Sequence, residues 1–180
     1  MDKYERIGLL IEQRRYELAE QALRERLSQE PEDGIAYSML ALCLTKIGRP
    51  DAALAAAQKG VALEPQMPSA HYRLAYVHYQ RDELRSMLRA ARQTLALDAA
   101  DAHAHALVAM YWAHQNDAKK MLHHAEVGLS HDVLNEQCQL FRAEALISLW
   151  RLDDAVEAVR SLLLRNPNSS FAMSGRGWIH

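Results

Sequence analysis

Residues 40–65 read LALCLTKIGRPDAALAAAQKGVALEP, two largely apolar stretches on either side of the joint Gly48-Arg49-Pro50-Asp51. Apolar residues recur at helical spacing on both sides of the joint. Gly48 can adopt the left-handed conformation that ends a helix, and Pro50 suits the first turn of the next one. Pro65 cannot continue the hydrogen-bond ladder, so the second helix ends before it. The stretch therefore predicts two helices joined by a short turn.

The same unit repeats every 34 residues along the chain. Pro65 and Pro167 lie three whole periods apart, without insertion or deletion between them. The positions where two helices must approach closely repeat with the same period. They form a small-residue row of Ala41, Ala75, Ala109 and Ala143 and an aliphatic row of Leu27, Val61, Leu95, Leu129 and Leu163. Two helices fit in each block, so the period predicts a helical array.

These motifs resemble the tetratricopeptide repeat family. The likeness is carried by Leu40 to Pro65, by Arg151-Leu152-Asp153-Asp154-Ala155 to Asn166-Pro167, and by Tyr16-Glu17-Leu18-Ala19 to Glu30-Pro31. The resemblance implies an all-α, right-handed α-α superhelical solenoid of about five helix pairs plus an additional C-terminal helix. We expect a single domain over residues 1–180. Its predicted repeats span residues 1–33, 34–67, 68–101, 102–135 and 136–169, with a partial sixth at 170–180.

The third and fourth blocks depart from the family pattern, with Ala99 and Val133 where it prefers proline. Met87 and Met121 stand where the family prefers alanine, and methionine is flexible enough to fill a gap at a close contact. We expect those repeats to form with somewhat irregular packing. In the first block, Ile7-Gly8 matches the apolar-small pair of the family only if the loop before Tyr16 is one residue short.

Composition excludes several classes of function. The chain has 180 residues, 49% of them hydrophobic, and a net charge of -2, which gives no reason to expect nucleic acid as a partner. Its apolar runs are shorter than the roughly 20 residues that span a bilayer, and its first residues lack the pattern of a secretory signal. We expect a cytoplasmic segment without membrane contact.

Cysteines and histidines do not predict a disulfide or a metal site. Cys43 and Cys138 fall in repeats expected to lie more than roughly 20 Å apart, too far for a disulfide, which is consistent with a reducing compartment. No two of the nine histidines are spaced i, i+3 or i, i+4. His71 and His105, one period apart, are interpreted as packed structural residues. We expect no metal, no cofactor and no enzymatic activity, since no catalytic motif is present either.

The resemblance also implies where a partner binds, because first helices line the concave groove in this family. Tyr72, Tyr76 and Tyr79 form one stripe at i, i+4 and i+7 on such a helix. Tyrosine supplies a large apolar face with a polar tip, which suits a peptide-binding floor. The alternative is that one or two of the rings only cover the next helix. The predicted groove residues are Tyr72, Tyr76, Tyr79, Met110, His114, Thr45 and Ser38.

Two other binding modes are less favoured by residue identity. Family members that grip the C-terminal carboxylate of chaperones use lysine, arginine and asparagine, and of the matching sites here only Arg73 has a suitable charge. A basic stripe of Arg81, Arg85, Arg89 and Arg92 lies on the predicted convex side without interleaved aromatics. We interpret this stripe as a solvated face that pairs partly with neighbouring acids, and phosphate binding is the alternative.

The sequence thus predicts a protein-protein interaction scaffold that binds a peptide or partner segment. Residues 170–180 read as the first helix of a sixth repeat, which favours a fragment of a longer protein; the alternative is that this helix is itself the cap. Two further readings stay open. One is a regulatory or partner-recruiting segment of a larger enzyme or membrane-anchored protein, and the other is self-association through residues 170–180.

Overall fold

The computed structural model describes residues 4–165 and is all-α within that range, as the sequence predicts. The predicted helix at 170–180 lies outside the described residues. Ten helices are described: α1 Glu5–Glu12, α2 Tyr16–Gln29, α3 Gly34–Lys46, α4 Pro50–Leu63, α5 Pro68–Gln80, α6 Leu84–Leu97, α7 Ala102–His114, α8 Ala118–His131, α9 Glu136–Ser148 and α10 Leu152–Arg165.

The turn between the helices of a pair has the same backbone conformation in every block. One residue of each turn is left-handed, with φ between 54° and 76°: Arg14, Gly48, Asp82, Asn116 and Trp150. These five positions are spaced by 34 residues, so the period is a property of the backbone as well as of the sequence. The left-handed ending predicted at Gly48 is confirmed.

The first pair keeps the full-length turn. Since Arg14 lies 34 residues before Gly48, the loop before Tyr16 has not lost a residue. Ile7 consequently occupies the packing position that Ala41 has in the next pair, and it is 5% exposed. The first helix pair therefore accepts a larger side chain at this contact without a change of register.

Side-chain caps fix the start of three first helices. Asp33, Asp101 and Asn135 accept a hydrogen bond from the backbone N–H three residues further on, at 2.9, 2.8 and 3.0 Å. Each such cap contributes about 1 kcal/mol to helix stability. Met67 holds the equivalent position before α5 without a side-chain cap, and there Pro68 fixes the first turn instead.

The helices form two compact units, one within residues 1–98 and one within residues 99–180. In the first unit, small buried residues bring consecutive helices together, among them Ala19, Ala41, Ala53, Ala57 and Ala75. The second unit has a corresponding core that includes Ala109, Ala125, Ala143 and Leu146. Met87 and Met121 are 0% and 3% exposed, so both fill positions in the interior of helices that do form.

Gly128 marks a close approach of helices in the second unit. A Cβ atom there would lie 2.5 Å from Cys138 Sγ on α9 and 3.2 Å from His105 Cβ on α7. Only a residue without a side chain fits between these two helices as they stand. Cys138 is buried and free, as is Cys43 in the first unit.

A membrane span requires a helix that is both long and apolar. Within residues 4–165, none of the helices has the length and hydropathy needed to cross a bilayer.

Candidate partner-binding surface

Helix α5 separates a core face from an aromatic face. Ala70 and Val77 share one face at i and i+7 and are each 1% exposed, and Val77 belongs to the core cluster of the first unit. Tyr72, Tyr76 and Tyr79 follow each other at i, i+4 and i+7, so they share one side of the helix. Tyr72 and Tyr76 are half-buried and Tyr79 is exposed. The predicted stripe is therefore present as a continuous surface feature.

The three rings contact one another in sequence. The centroids of Tyr72 and Tyr76 are 6.4 Å apart in a stacked arrangement, and those of Tyr76 and Tyr79 are 6.1 Å apart and tilted. Such ring pairs contribute about 0.5–1.5 kcal/mol beyond their buried area. Mutual contact therefore holds the rings in place while leaving part of each open.

Helix α3 adds polar groups beside these rings. Lys46 Nζ donates a hydrogen bond to the Tyr76 hydroxyl at 2.8 Å and lies 4.9 Å from the centroid of the same ring. Thr45 is half-buried, and its hydroxyl donates to the Ala41 carbonyl at 2.7 Å. We call Tyr72, Tyr76 and Tyr79 with Lys46 the tyrosine face, and the place of Thr45 in a binding site stays a prediction.

A second cation stands next to the tyrosine face. The Arg73 guanidinium lies 6.0 Å from the centroid of the Tyr72 ring and is partly buried. Burial lowers the pKa of Arg73, while the nearby Tyr72, Cys43 and Tyr76 oppose that shift. By residue identity, Arg73 was the only matching clamp site with a suitable charge, and the structure adds that this charge is partly buried.

The remaining predicted groove residues have other surroundings. Ser38 is 4% exposed and lies against α4, where a Cβ at Gly60 would be 3.1 Å from the Ser38 nitrogen. Met110 and His114 belong to α7 in the second unit. Met110 is 8% exposed, and exposed His114 has Nδ1 2.9 Å from the Met110 carbonyl oxygen, to which it donates. Their place in a binding site stays a prediction.

His105 contacts histidines of another helix, which spacing within one helix could not predict. His105 on α7 and His124 on α8 have their Nδ1 atoms 3.2 Å apart, and the His105 ring is 6.4 Å from that of His131. Burial lowers the pKa of His105, and the nearby His131 acts in the same direction. Among residues 4–165, no three His, Cys, Asp or Glu side chains are grouped to hold a metal ion.

The arginine stripe of α6 begins in an ion-pair cluster. Arg81 pairs with Asp51 at 2.5 Å and with Glu83 at 2.8 Å, whereas Arg85, Arg89 and Arg92 are exposed. The acidic neighbours of the stripe are therefore Asp51 and Glu83.

Known proteins resemble this chain in sequence pattern and in structure. A model of the tetratricopeptide repeat family matches residues 4–68 and 46–86. No curated protein matches the sequence. The structure is similar to a tetratricopeptide repeat protein of Thermus thermophilus, with a TM-score of 0.79 and 18% identity over 96% of this chain and 94% of that one.

Two further solved structures show the same fold. PilF of Pseudomonas aeruginosa has a TM-score of 0.81 and 13% identity over 91% of this chain and 74% of its own. YrrB, described as a tetratricopeptide repeat protein with an unusual peptide-binding site, has a TM-score of 0.70 and 14% identity over 95% and 88%. These likenesses confirm the predicted all-α fold of tetratricopeptide helix pairs.

Proposed function

Because the chain belongs to the tetratricopeptide repeat family, we propose that it is a protein-interaction scaffold whose first unit binds a partner segment on the tyrosine face. The observation that carries this proposal is the contact of Tyr72, Tyr76 and Tyr79 with one another and with Lys46, on the side of α5 away from Val77. A partner that covers the rings removes further apolar surface from water.

Tyrosine suits this role for two physical reasons. Its ring buries a large area while only two side-chain torsions have to be ordered, so little entropy is lost on binding. Its hydroxyl can exchange hydrogen bonds with a partner or with water. Residues of this type recur among those that dominate binding energy at interfaces. The peptide-binding site reported in the description of YrrB supports the same role for this chain.

The proposal assigns a binding role and not a catalytic one. We place the chain in a reducing compartment such as the cytoplasm, since Cys43 and Cys138 are free thiols. Self-association through residues 170–180 stays a prediction, because these residues lie outside the described part of the chain.

The test is an array of 12-residue peptides anchored through their C-termini, probed with the wild-type chain and with Tyr76→Ala. We expect a set of peptides whose signal is lost in Tyr76→Ala, while helicity and melting temperature change little. Tyr37→Ala is the matched control, because Tyr37 packs against the core of the same unit. This variant should melt earlier.

The proposal fails if peptides bind equally to the wild type and to Tyr76→Ala. It also fails if Tyr76→Ala melts as early as Tyr37→Ala, since the ring would then serve to pack the unit.

A further inference from the structure

The charge of Arg73 is partly removed from water, and no carboxylate among residues 4–165 pairs with it to replace the lost hydration. The groups that act on this charge, apart from burial itself, are Tyr72, Cys43 and Tyr76. The Cys43 thiol is neutral at physiological pH, since burial raises its pKa to about 11. A cation that has lost water and gained no anion can bind an added carboxylate at a lower desolvation cost than an exposed one.

Four other arginines of the first unit meet carboxylates within the chain. The pairs are Arg26 with Asp33 and Glu30, Arg24 and Arg49 with Glu20, and Arg81 with Asp51 and Glu83. Arg73 instead lies over the Tyr72 ring. Arg85, Arg89 and Arg92 have no such pair but are exposed to water, so Arg73 differs from them in being partly buried beside the tyrosines.

The two helices that form this surface contain no acidic residue. Helix α3 reads GIAYSMLALCLTK and helix α5 reads PSAHYRLAYVHYQ. Their cations include exposed Lys46 at the end of α3, whose ammonium has three N–H groups and donates one of them to Tyr76. Arg73 and Lys46 therefore flank the ring pair Tyr72 and Tyr76 with positive charge.

From this arrangement we infer that the partner segment carries an aspartate or glutamate side chain that pairs with Arg73, with Lys46 as a second donor, while apolar side chains of the segment cover the tyrosine rings. The inference rests on the proposed function and adds the chemical class of the ligand. Arginine suits such a pairing because its planar fork of donors matches both oxygens of a carboxylate.

The experiment starts from the peptides that depend on Tyr76 in the array. Because the array is anchored through the C-terminus, a preference for acidic sequences cannot come from a free terminal carboxylate. The best binder is resynthesised with an amidated C-terminus, in two forms that differ only in the acidic residue and its amide. Affinities are measured by fluorescence anisotropy for the wild type, Arg73→Gln and Arg85→Gln, the last being an exposed arginine on α6.

We expect the selected peptides to be enriched in acidic residues. Arg73→Gln should bind the acidic peptide roughly ten- to a hundredfold more weakly, as expected for the loss of one charge-assisted hydrogen bond. The amide form should bind equally to the wild type and to Arg73→Gln, and Arg85→Gln should behave as the wild type. If Arg73→Gln does not fold, the difference between the two peptide forms on the wild type decides the question.

Two results would overturn the inference in distinguishable ways. In the first, binding depends on Tyr76, but the wild type binds the acidic and amide forms equally. The tyrosine face then binds peptides without recognising a carboxylate. In that case the proposed function stands and the inference falls. An array in which no peptide depends on Tyr76 removes the proposed function, and the inference with it.

Discussion

Replacing Gly128 by alanine tests how closely three helices of the second unit approach each other. The added Cβ would lie 2.5 Å from Cys138 Sγ, about 0.9 Å short of the 3.4 Å at which ordinary contact begins. Cys138 is 0% exposed, so its sulfur has little room to move. Forcing an extra carbon into a filled core costs about 1–3 kcal/mol, whereas alanine gains about 1 kcal/mol over glycine in a helix. We expect Gly128→Ala to destabilise the unit by about 1 kcal/mol.

The identity of the clashing atom makes a second variant decisive. Cys138→Ala alone should cost about 1 kcal/mol, because it deletes a buried sulfur. In the double variant the new methyl group occupies the space that the sulfur left. The two changes should therefore compensate, with a coupling free energy of about 1–3 kcal/mol in the double-mutant cycle. Gly8→Ala is the control for helix propensity alone, since a Cβ at Gly8 meets nothing within 4 Å. This variant should stabilise α1.

Tryptophan fluorescence during urea unfolding is the appropriate assay. Trp112 and Trp150 lie in the second unit, and the sequence contains no tryptophan before residue 99. The signal therefore reports the unit that contains Gly128, while circular dichroism reports all helices. Additive effects of Gly128→Ala and Cys138→Ala would refute the packing argument.

Three other outcomes follow from the structure. Burial lowers the pKa of His105 below its ordinary value of 6.5, so the unfolded chain takes up the proton first as the pH falls. Urea unfolding should therefore show the second unit losing stability below about pH 6.5. This pH dependence should be weaker in His105→Gln, and in His71→Gln it should be the same as in the wild type. Trp150 is left-handed and 85% exposed. Glycine at this position would relieve about 1–2 kcal/mol of backbone strain and lose about 0.5–1 kcal/mol to its greater entropy in the unfolded chain. Trp150→Gly should therefore raise the melting temperature, whereas Trp150→Ala should not. Burial raises the pKa of Cys43 to about 11 and that of Cys138 to about 12. At pH 8 a chromogenic disulfide reagent should therefore label both thiols only after the chain unfolds. Rapid labelling of the native chain would contradict their burial.

Much of the fold was predictable from residues that act locally. Gly48, Pro50 and Pro65 set the ends of helices through backbone conformation alone, which depends little on the rest of the molecule. The tyrosine stripe was predictable for the same reason, since i, i+4 and i+7 on one helix share a face wherever that helix packs. Ile7 shows the limit of this approach. The position of Ile7 in the repeat depended on the length of the loop before Tyr16, which the sequence left open and the left-handed Arg14 decided.

The chemistry of the candidate surface depended on contacts between helices. Ser38 and Thr45 both follow the pattern of a groove helix, yet Ser38 is buried against α4 because Gly60 lets that helix approach. Arg73 is next to Tyr72 in the sequence. The groups around its charge become known only when the residues that pack on α3 and α5 are placed.

The sequence by itself determined the 34-residue period, the helix pairs and the row of tyrosines, because helix propensity, turn chemistry and apolar spacing act over a few residues. Tertiary structure alone decided which polar groups lost water and which found a partner. His105 and His124 are 19 positions apart and meet across two helices, whereas Arg73 lies by the Tyr72 ring and pairs with no carboxylate of residues 4–165. Such outcomes depend on the distance between helices, and that distance is set by every side chain packed between them.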